Sequence, residues 1–371
     1  MKRLLLIFCL NYAISITGQT VSAWDTLPTL QFSGVADIFY VYDFQRPQET
    51  KRQPFLFNHN RHNEFNLNQG FVKWEIAHTK YRSKLALHTG TYVQDNYASE
   101  PSVLQNILEA NIGLSLNHSN SLWLDVGILP SHIGFESAIS IENSTLTRSI
   151  LAENSPYFMA GAKLTYTPNP LWEFSYILMN GWQRIQRLQG NSLPSMGSQL
   201  RYRAHRDMVF NWSIFVGTQY PDSTRRMRYF NNFYGDIRLS NTFSCIVGFD
   251  IGLQQSSMGS TAYDVWMSPV IISKYKWNAK WSTAVRAEYY QDDTGVMIPI
   301  DGVYDFRTSG ISMNMDYTPV SYIMCRLEGR WLYSRDPIFQ HDNFVSHHNF
   351  IIAASIAVRF NTILSRRSDS I

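Results

Sequence analysis

Residues 30–43 read LQFSGVADIFYVYD. Leu30, Phe32, Gly34, Ala36, Ile38, Tyr40 and Tyr42 occupy every second position and carry no charge. Gln31, Ser33, Val35, Asp37, Phe39, Val41 and Asp43 alternate with them and hold the polar and acidic groups. Successive side chains of a strand point to opposite faces, so this stretch predicts a strand with one uncharged face. The alternation recurs down the chain. Leu122, Leu124, Val126 and Ile128 oppose Asp125 and Gly127; Phe243, Cys245, Val247, Phe249 and Ile251 oppose Ser244, Gly248, Asp250 and Gly252. Phe350, Ile352, Ala354, Ile356 and Val358 oppose Asn349, Ser355 and Arg359.

A large soluble β-sandwich produces a similar alternation, so other features must choose. The periodic segments run to about 9–11 residues, the length of a tilted membrane-crossing strand, whereas sandwich strands are nearer five or six. Small residues such as Gly113, Gly127, Gly161, Gly217, Gly248 and Gly252 sit on the polar face. Tyr40, Tyr166, Trp172, Trp277, Trp281 and Tyr317 fall near strand ends, where an apolar ring with a polar tip suits a water–lipid boundary.

The connections alternate in length. Short turns rich in Asn, Pro, Asp and Ser fall near 78–80, 117–121, 167–170, 205–207, 240–242, 277–280 and 318–321. Long polar loops fall near 44–62, 94–102, 130–157, 183–195, 219–228, 253–262, 290–305 and 334–347. Together they predict an all-β fold: a transmembrane antiparallel up-and-down barrel of about sixteen strands, with short periplasmic turns and long extracellular loops. Phase slips near Gly70 and at Pro269 predict bulges at those points.

The composition agrees. Of 371 residues 44% are hydrophobic, 14% aromatic and only 16% charged, with a net charge of +3. Mean hydropathy is −0.22, and past the N-terminus no apolar run approaches the roughly 20 residues of a spanning helix. The near-neutral balance excludes electrostatic capture of nucleic acid. Lys2 and Arg3 precede an apolar stretch ending at Ile16, followed by Gly18 and the Val21-Ser22-Ala23 triplet. Residues 1–23 therefore read as a cleaved signal peptide, and 24–371 as a single barrel domain. Cys9 belongs to the signal. Cys245 and Cys325 fall on distant strands and face outward, which predicts two unpaired, lipid-facing thiols.

Several stretches carry a family resemblance: FSGVADIFYVYDFQRP at 32–47, FNHNRHNEFNLNQGF at 57–71, NILEANIGLSL at 106–116, LWLDVGILPSHIGFESA at 122–138, LTRSILAENSPYFMAGAKLTY at 146–166 and LMNGWQRIQ at 178–186. They resemble the OmpL-like β-barrel porins, the type 2 barrel porins of Gram-negative outer membranes. Polar loop residues match as well as strand residues. The resemblance implies an outer-membrane barrel conducting small solutes. Taken with the alternation, the reading is passive diffusion of small hydrophilic solutes or ions by a monomer or homo-trimer in outer-membrane lipid. Porin-like proteins often fold one long loop into the barrel. By that analogy the 130–157 loop is expected to be the constriction element, with His132, Glu136, Glu142, Arg148 and Glu153 as its polar face; an external loop packing on its neighbours is the alternative.

The inward parity places Arg201, Arg203, Arg238, Arg286, Glu288, Arg326, Glu328 and Arg330 along the lumen, where charged rings set ion preference. Arginines outnumber acids on the later strands, which leans towards anions; cross-strand pairing with those acids is the competing account. The alternatives to a channel are a barrel-scaffolded lipid hydrolase and a secreted soluble β-protein that binds glycans. No GxSxG, P-loop or dinucleotide motif is present. His59 and His62, like His347 and His348, lack the partners of a zinc motif. The reading is non-enzymatic, with no cofactor and no metal.

Overall fold

A computed structural model describes residues 26–364, apart from 206–207, 301, 303–304 and 342–343. The proposed signal segment lies outside these residues. The strands are β1 (Thr29–Asp43), β2 (Phe65–Ala77), β3 (Tyr81–Thr89), β4 (Ile107–Ser115), β5 (Leu122–Pro130), β6 (Phe158–Asn169), β7 (Trp172–Met179), β8 (Ser195–His205) and β9 (Met208–Thr218). They continue with β10 (Met227–Arg238), β11 (Phe243–Gln255), β12 (Tyr263–Lys276), β13 (Trp281–Asp292), β14 (Phe306–Val320), β15 (Ile323–Ser334), β16 (Phe339–His341), β17 (Phe344–Ser346) and β18 (His348–Ile363). Among the described residues, β1–β15 and β18 close into one antiparallel barrel of sixteen strands, and β16–β17 form a small hairpin in the last long loop. Closure comes from β18 pairing with β1 over Gln31–Ile363 to Asp43–Ile351. A closed barrel leaves no unpaired strand edge, which is the condition for crossing lipid with strands.

The two faces separate as the alternation requires. Ile112, Leu114, Val126, Ile311, Met313, Leu327, Ile356 and Val358 are exposed on the outside. Aromatic pairs flank this belt, including Trp172 with Tyr202 at 4.3 Å and Trp281 with Tyr317 at 4.5 Å between ring centroids. Asp37, Asn232, Asp250, Arg286, Glu328 and Arg330 are buried on the inside. Short turns are set by local side-chain bonds. The Asn117 carboxamide oxygen accepts from the Ser121 and Leu122 amides, and Asn278 does the same for Lys280 and Trp281.

Two irregularities differ in kind. Between β1 and β2 the register shifts at Asp37 and Ile38, with Asn68 as the extra residue, two positions from the phase slip at Gly70. Pro269 makes no bulge. The β12–β13 register is the same on both sides of it, and only the pairing between Met267 and Val270 is interrupted. Proline lacks an N–H, so it removes a rung of the ladder without adding a residue.

Inside the barrel one large cluster of buried apolar residues lies near the long-loop ends of the strands, and a smaller one, with Val270, Ile272 and Ala284, lies further towards the short turns. Phe230, Trp266, Phe306 and Leu332 from the wall pack with Phe55, Leu56, Ile298 and Ile338 from the loops.

Candidate functional site

The interior is crossed by the 130–157 segment. It carries a 3-10 turn at Ser140–Glu142 and a short α-helical turn, α1 (Ile150–Glu153), capped by Ser149, whose side chain accepts from the Ala152 amide. Beneath it lies a rack of charges on β13 and β15. Arg286 contacts Glu288 at 3.3 Å and Glu328 at 3.2 Å, and Arg330 contacts Glu288 at 2.8 Å. These side chains meet across β14, whose inward residues at this level, Gly310, Ser312 and Asn314, are small or short. A Cβ on Gly310 would approach the Glu288 carboxylate at 2.8 Å. The rack then grips the segment. Glu328 accepts from the Thr147 amide at 2.7 Å and its hydroxyl at 2.6 Å; Arg286 donates to the Thr147 carbonyl at 2.6 Å; Glu288 accepts from the Ile150 amide at 2.7 Å. All are charge-assisted bonds in a desolvated place, where each is stronger than a neutral bond.

Other strands hold the rest of the segment. Arg326 on β15 pairs with Asp316 at 2.9 Å and donates to the carbonyls of Ser140 and Asn143 at 2.8 and 3.1 Å. The Ser140 hydroxyl donates to Asp37 on β1 at 2.6 Å, and Asp37 also contacts His59 of the first long loop at 2.9 Å. Gln199 on β8 and Ser213 on β9 donate to the His132 carbonyl, while the His132 ring nitrogen Nε2 meets the Ile214 carbonyl at 2.8 Å. Asn232 on β10 accepts from the Gly134 amide, and Asp250 on β11 accepts from Ser155. Inner glycines make room: a Cβ on Gly248 would strike the Phe135 ring, and one on Gly197 would lie 2.6 Å from His132 Nε2.

Cavities remain on both sides of the segment. One of about 340 Å³ at the short-turn end is lined by Glu136, Glu142, Asp236, Arg238, Lys274 and Lys276, and another of about 230 Å³ by Phe135, Arg201, Arg203 and Asp236. A third, about 580 Å³, opens among the long loops.

A sixteen-stranded barrel with an apolar outside and an ionised inside is a porin architecture. The family model described as "Putative beta-barrel porin-2, OmpL-like" matches residues 29–360. The chain belongs to that family. Among solved structures it resembles the outer-membrane channel DcaP of Acinetobacter baumannii at 10% identity, covering 93% of this chain and 100% of that one, with a TM-score of 0.59. It also resembles an anion-selective porin from Comamonas acidovorans at 6% identity, covering 90% and 100%, with a TM-score of 0.60. OmpF of Salmonella typhi follows at 10% identity, 89% and 97% coverage and a TM-score of 0.59. At such identities these likenesses show a shared fold. No curated protein matches the sequence. This porin is therefore an outer-membrane barrel of the Gram-negative type, with a fold suited to passive diffusion through its lumen.

The residues singled out by inward parity divide into two groups in this porin. Arg286, Glu288, Arg326, Glu328 and Arg330 are buried beneath the crossing segment. Arg201 and Arg203 pair with Glu173 at 3.2 and 3.1 Å and face a cavity, as does Arg238. Of the loop residues, Glu142 is exposed, while His132, Glu136, Arg148 and Glu153 are buried. Glu136 accepts from the Ser149 amide and hydroxyl. Arg148 donates to the carbonyls of Glu136 and Ala152 and sits 3.5 Å from the centroid of the Tyr157 ring. Glu153 accepts from the amides of Phe57 and Asn58. Burial pushes the Glu153 carboxyl up and the Arg148 guanidinium down, against their mutual attraction. Burial also pushes His132 down to about 4, so its ring is neutral at neutral pH.

Sequence reasoning missed the Asp37–His59 contact and the inner aromatics. Phe215, Phe230, Gly252, Trp266, Asp292 and Phe306 are successive register partners across β9 to β14 and face inward. The signal was available: Phe230 shares parity with Asn232, and Trp266 with Ser268.

Proposed function

We propose that this porin passes small hydrophilic solutes and ions by passive diffusion, and that the 130–157 segment is the constriction. The observation that carries the reading is the segment's hydrogen bonding to inner side chains of β1, β8, β10, β11, β13 and β15. A strand-to-strand loop tied at so many points around the wall narrows whatever passes. Arg201, Arg203, Arg238, Lys274 and Lys276 line the short-turn cavities against Asp236, Glu136 and Glu142. This favours anions over cations, in keeping with the anion selectivity of the Comamonas porin. Export by residues 1–23 as a cleaved signal completes the reading.

The test is planar-bilayer recording of the chain from residue 24 onward in a salt gradient. Stepwise conductance with an anion-selective reversal potential is expected. Deleting residues 139–148 should raise the single-channel conductance. Absence of steps would defeat the channel, and an unchanged conductance on deletion would defeat the constriction.

A further inference from the structure

Among the long loops, the cavity of about 580 Å³ contains one buried arginine without a carboxylate. Arg228 is 5% exposed and lines this cavity. Arg52, Arg286, Arg326 and Arg330, also buried, each touch an acid, whereas Arg148, buried within the 130–157 segment, donates to the carbonyls of Glu136 and Ala152. Arg228 makes no ion pair among the described residues; Gln254 alone accepts from it, at 3.0 Å from Nε and 2.6 Å from Nη2. Its guanidinium carbon lies 5.1 Å from the Trp182 ring centroid and 5.3 Å from that of Trp266. The acids nearby are already engaged. Asp95 is held by Lys51 and Arg61, Glu153 by backbone amides, and Asp292 by the amides of Val296, Met297 and Ile298.

The surroundings are built rather than incidental. Phe230, Gly252 and Trp266 are register partners on β10, β11 and β12. The missing side chain at Gly252 lets the two rings lie 6.2 Å apart at 20°, and a Cβ there would strike the indole. Trp182 meets Phe230 edge-on at 4.9 Å. A desolvated cation flanked by indoles is stable with an anion beside it and costly without one. Trp182, with Phe57, Met297 and Pro299, lines the cavity and offers apolar surface to the body of such an anion.

We propose that the loop-side chamber binds small organic anions that carry a flat apolar body, the acid group against Arg228 and the body along Trp182, Phe57 and Met297, with Trp266 buried behind the guanidinium. This names the solute class of the channel and rests on that reading. Its volume falls in the range of small-ligand pockets.

The experiment is isothermal titration of the detergent-folded chain with sodium benzoate, with benzylammonium chloride and sodium chloride as comparisons. Saturable benzoate binding is expected, with benzylammonium showing none and chloride failing to compete at equal concentration. Arg228→Gln should weaken benzoate by about tenfold or more, and Trp182→Leu should weaken it while leaving the charge in place. Arg228→Lys retains a cation and serves if the glutamine variant loses its heat-modifiable mobility; loss of the planar fork should still weaken benzoate. Equal binding of benzoate and benzylammonium, no saturable benzoate heat, or unchanged affinity in folded Arg228 variants would overturn the proposal. Bilayer conductance in potassium chloride reads the channel alone, so failure of one reading is separable from failure of the other.

Discussion

Replacing Arg286 by methionine removes the central tie between wall and segment. The guanidinium donates to the Thr147 carbonyl at 2.6 Å and to the Thr145 and Thr147 hydroxyls at 3.1 Å, and contacts Glu328 at 3.2 Å. Glu288 survives the change, since it keeps Arg330 at 2.8 Å and the Ile150 amide at 2.7 Å. Glu328 keeps only Thr147 and becomes a buried carboxylate without a cation in contact. Breaking one side of a buried pair costs about 3–5 kcal/mol. The lower end applies here because part of the network remains. A loss of about 3 kcal/mol shifts the seated-to-unseated ratio of the segment roughly a hundredfold. Single-channel recording should show a larger conductance level whose occupancy rises by that order, while heat-modifiable mobility persists because the strand ladder is untouched. Adding Glu328→Gln should recover much of the loss, since it removes the stranded charge. Wild-type traces from Arg286→Met, or no recovery in the double variant, would refute the reasoning.

Gly248→Val places a side chain where the Phe135 ring now lies, so it should produce the same larger conductance level without altering charge; an unaltered trace counts against the packing. His132 ties stability to pH. Its seated ring protonates near 4 against an ordinary 6.5, so its contribution is complete above pH 6.5 and lost as pH falls towards 4, on the order of 3 kcal/mol. Burial raises Glu153 and works the other way, so the comparison to make is thermal midpoint against pH for wild type and His132→Gln, the variant giving the flatter curve. Cys245 and Cys325 are both free and share their faces with exposed Val247 and Leu327. In vesicles a lipid-soluble maleimide should modify both by mass, and a sulfonated one should spare them.

The outer half of this molecule was legible because the bilayer acts on each strand separately. Ile112 and Leu114 must face lipid whatever the rest of the chain does, so a period of two declares them. The turn at 117–121 was legible for a similar reason, since Asn117 satisfies amides only four and five residues away. The interior was only half legible. Parity put Arg286, Arg326 and Arg330 on the inner face, but their partners include Thr147, Ser140 and Asn143, far off in sequence. No local pattern reports a contact of that range. Pro269 shows the opposite limit: the residue type signals a broken rung, and whether a residue is also inserted depends on the neighbouring strand's register.

The nature of the seat follows from what a channel wall must do. An apolar seat of equal size would hold the segment at least as well, because a buried ion pair recovers little beyond its desolvation cost. It would also leave an apolar strip of wall whenever the segment moved, and apolar constrictions exclude water. Arg286, Glu288, Glu328 and Arg330 avoid this. Their bonds are directional, so Thr147 and Ile150 seat in one register. When the segment leaves, water can replace its groups on the same side chains, and the lumen stays wet. Where the inner wall is apolar, at Phe215, Phe230, Trp266 and Phe306, it lies under loop residues such as Phe55, Trp182 and Ile298. Arg228 is the charge placed in that apolar region, and hence the point where it can hold a charged solute.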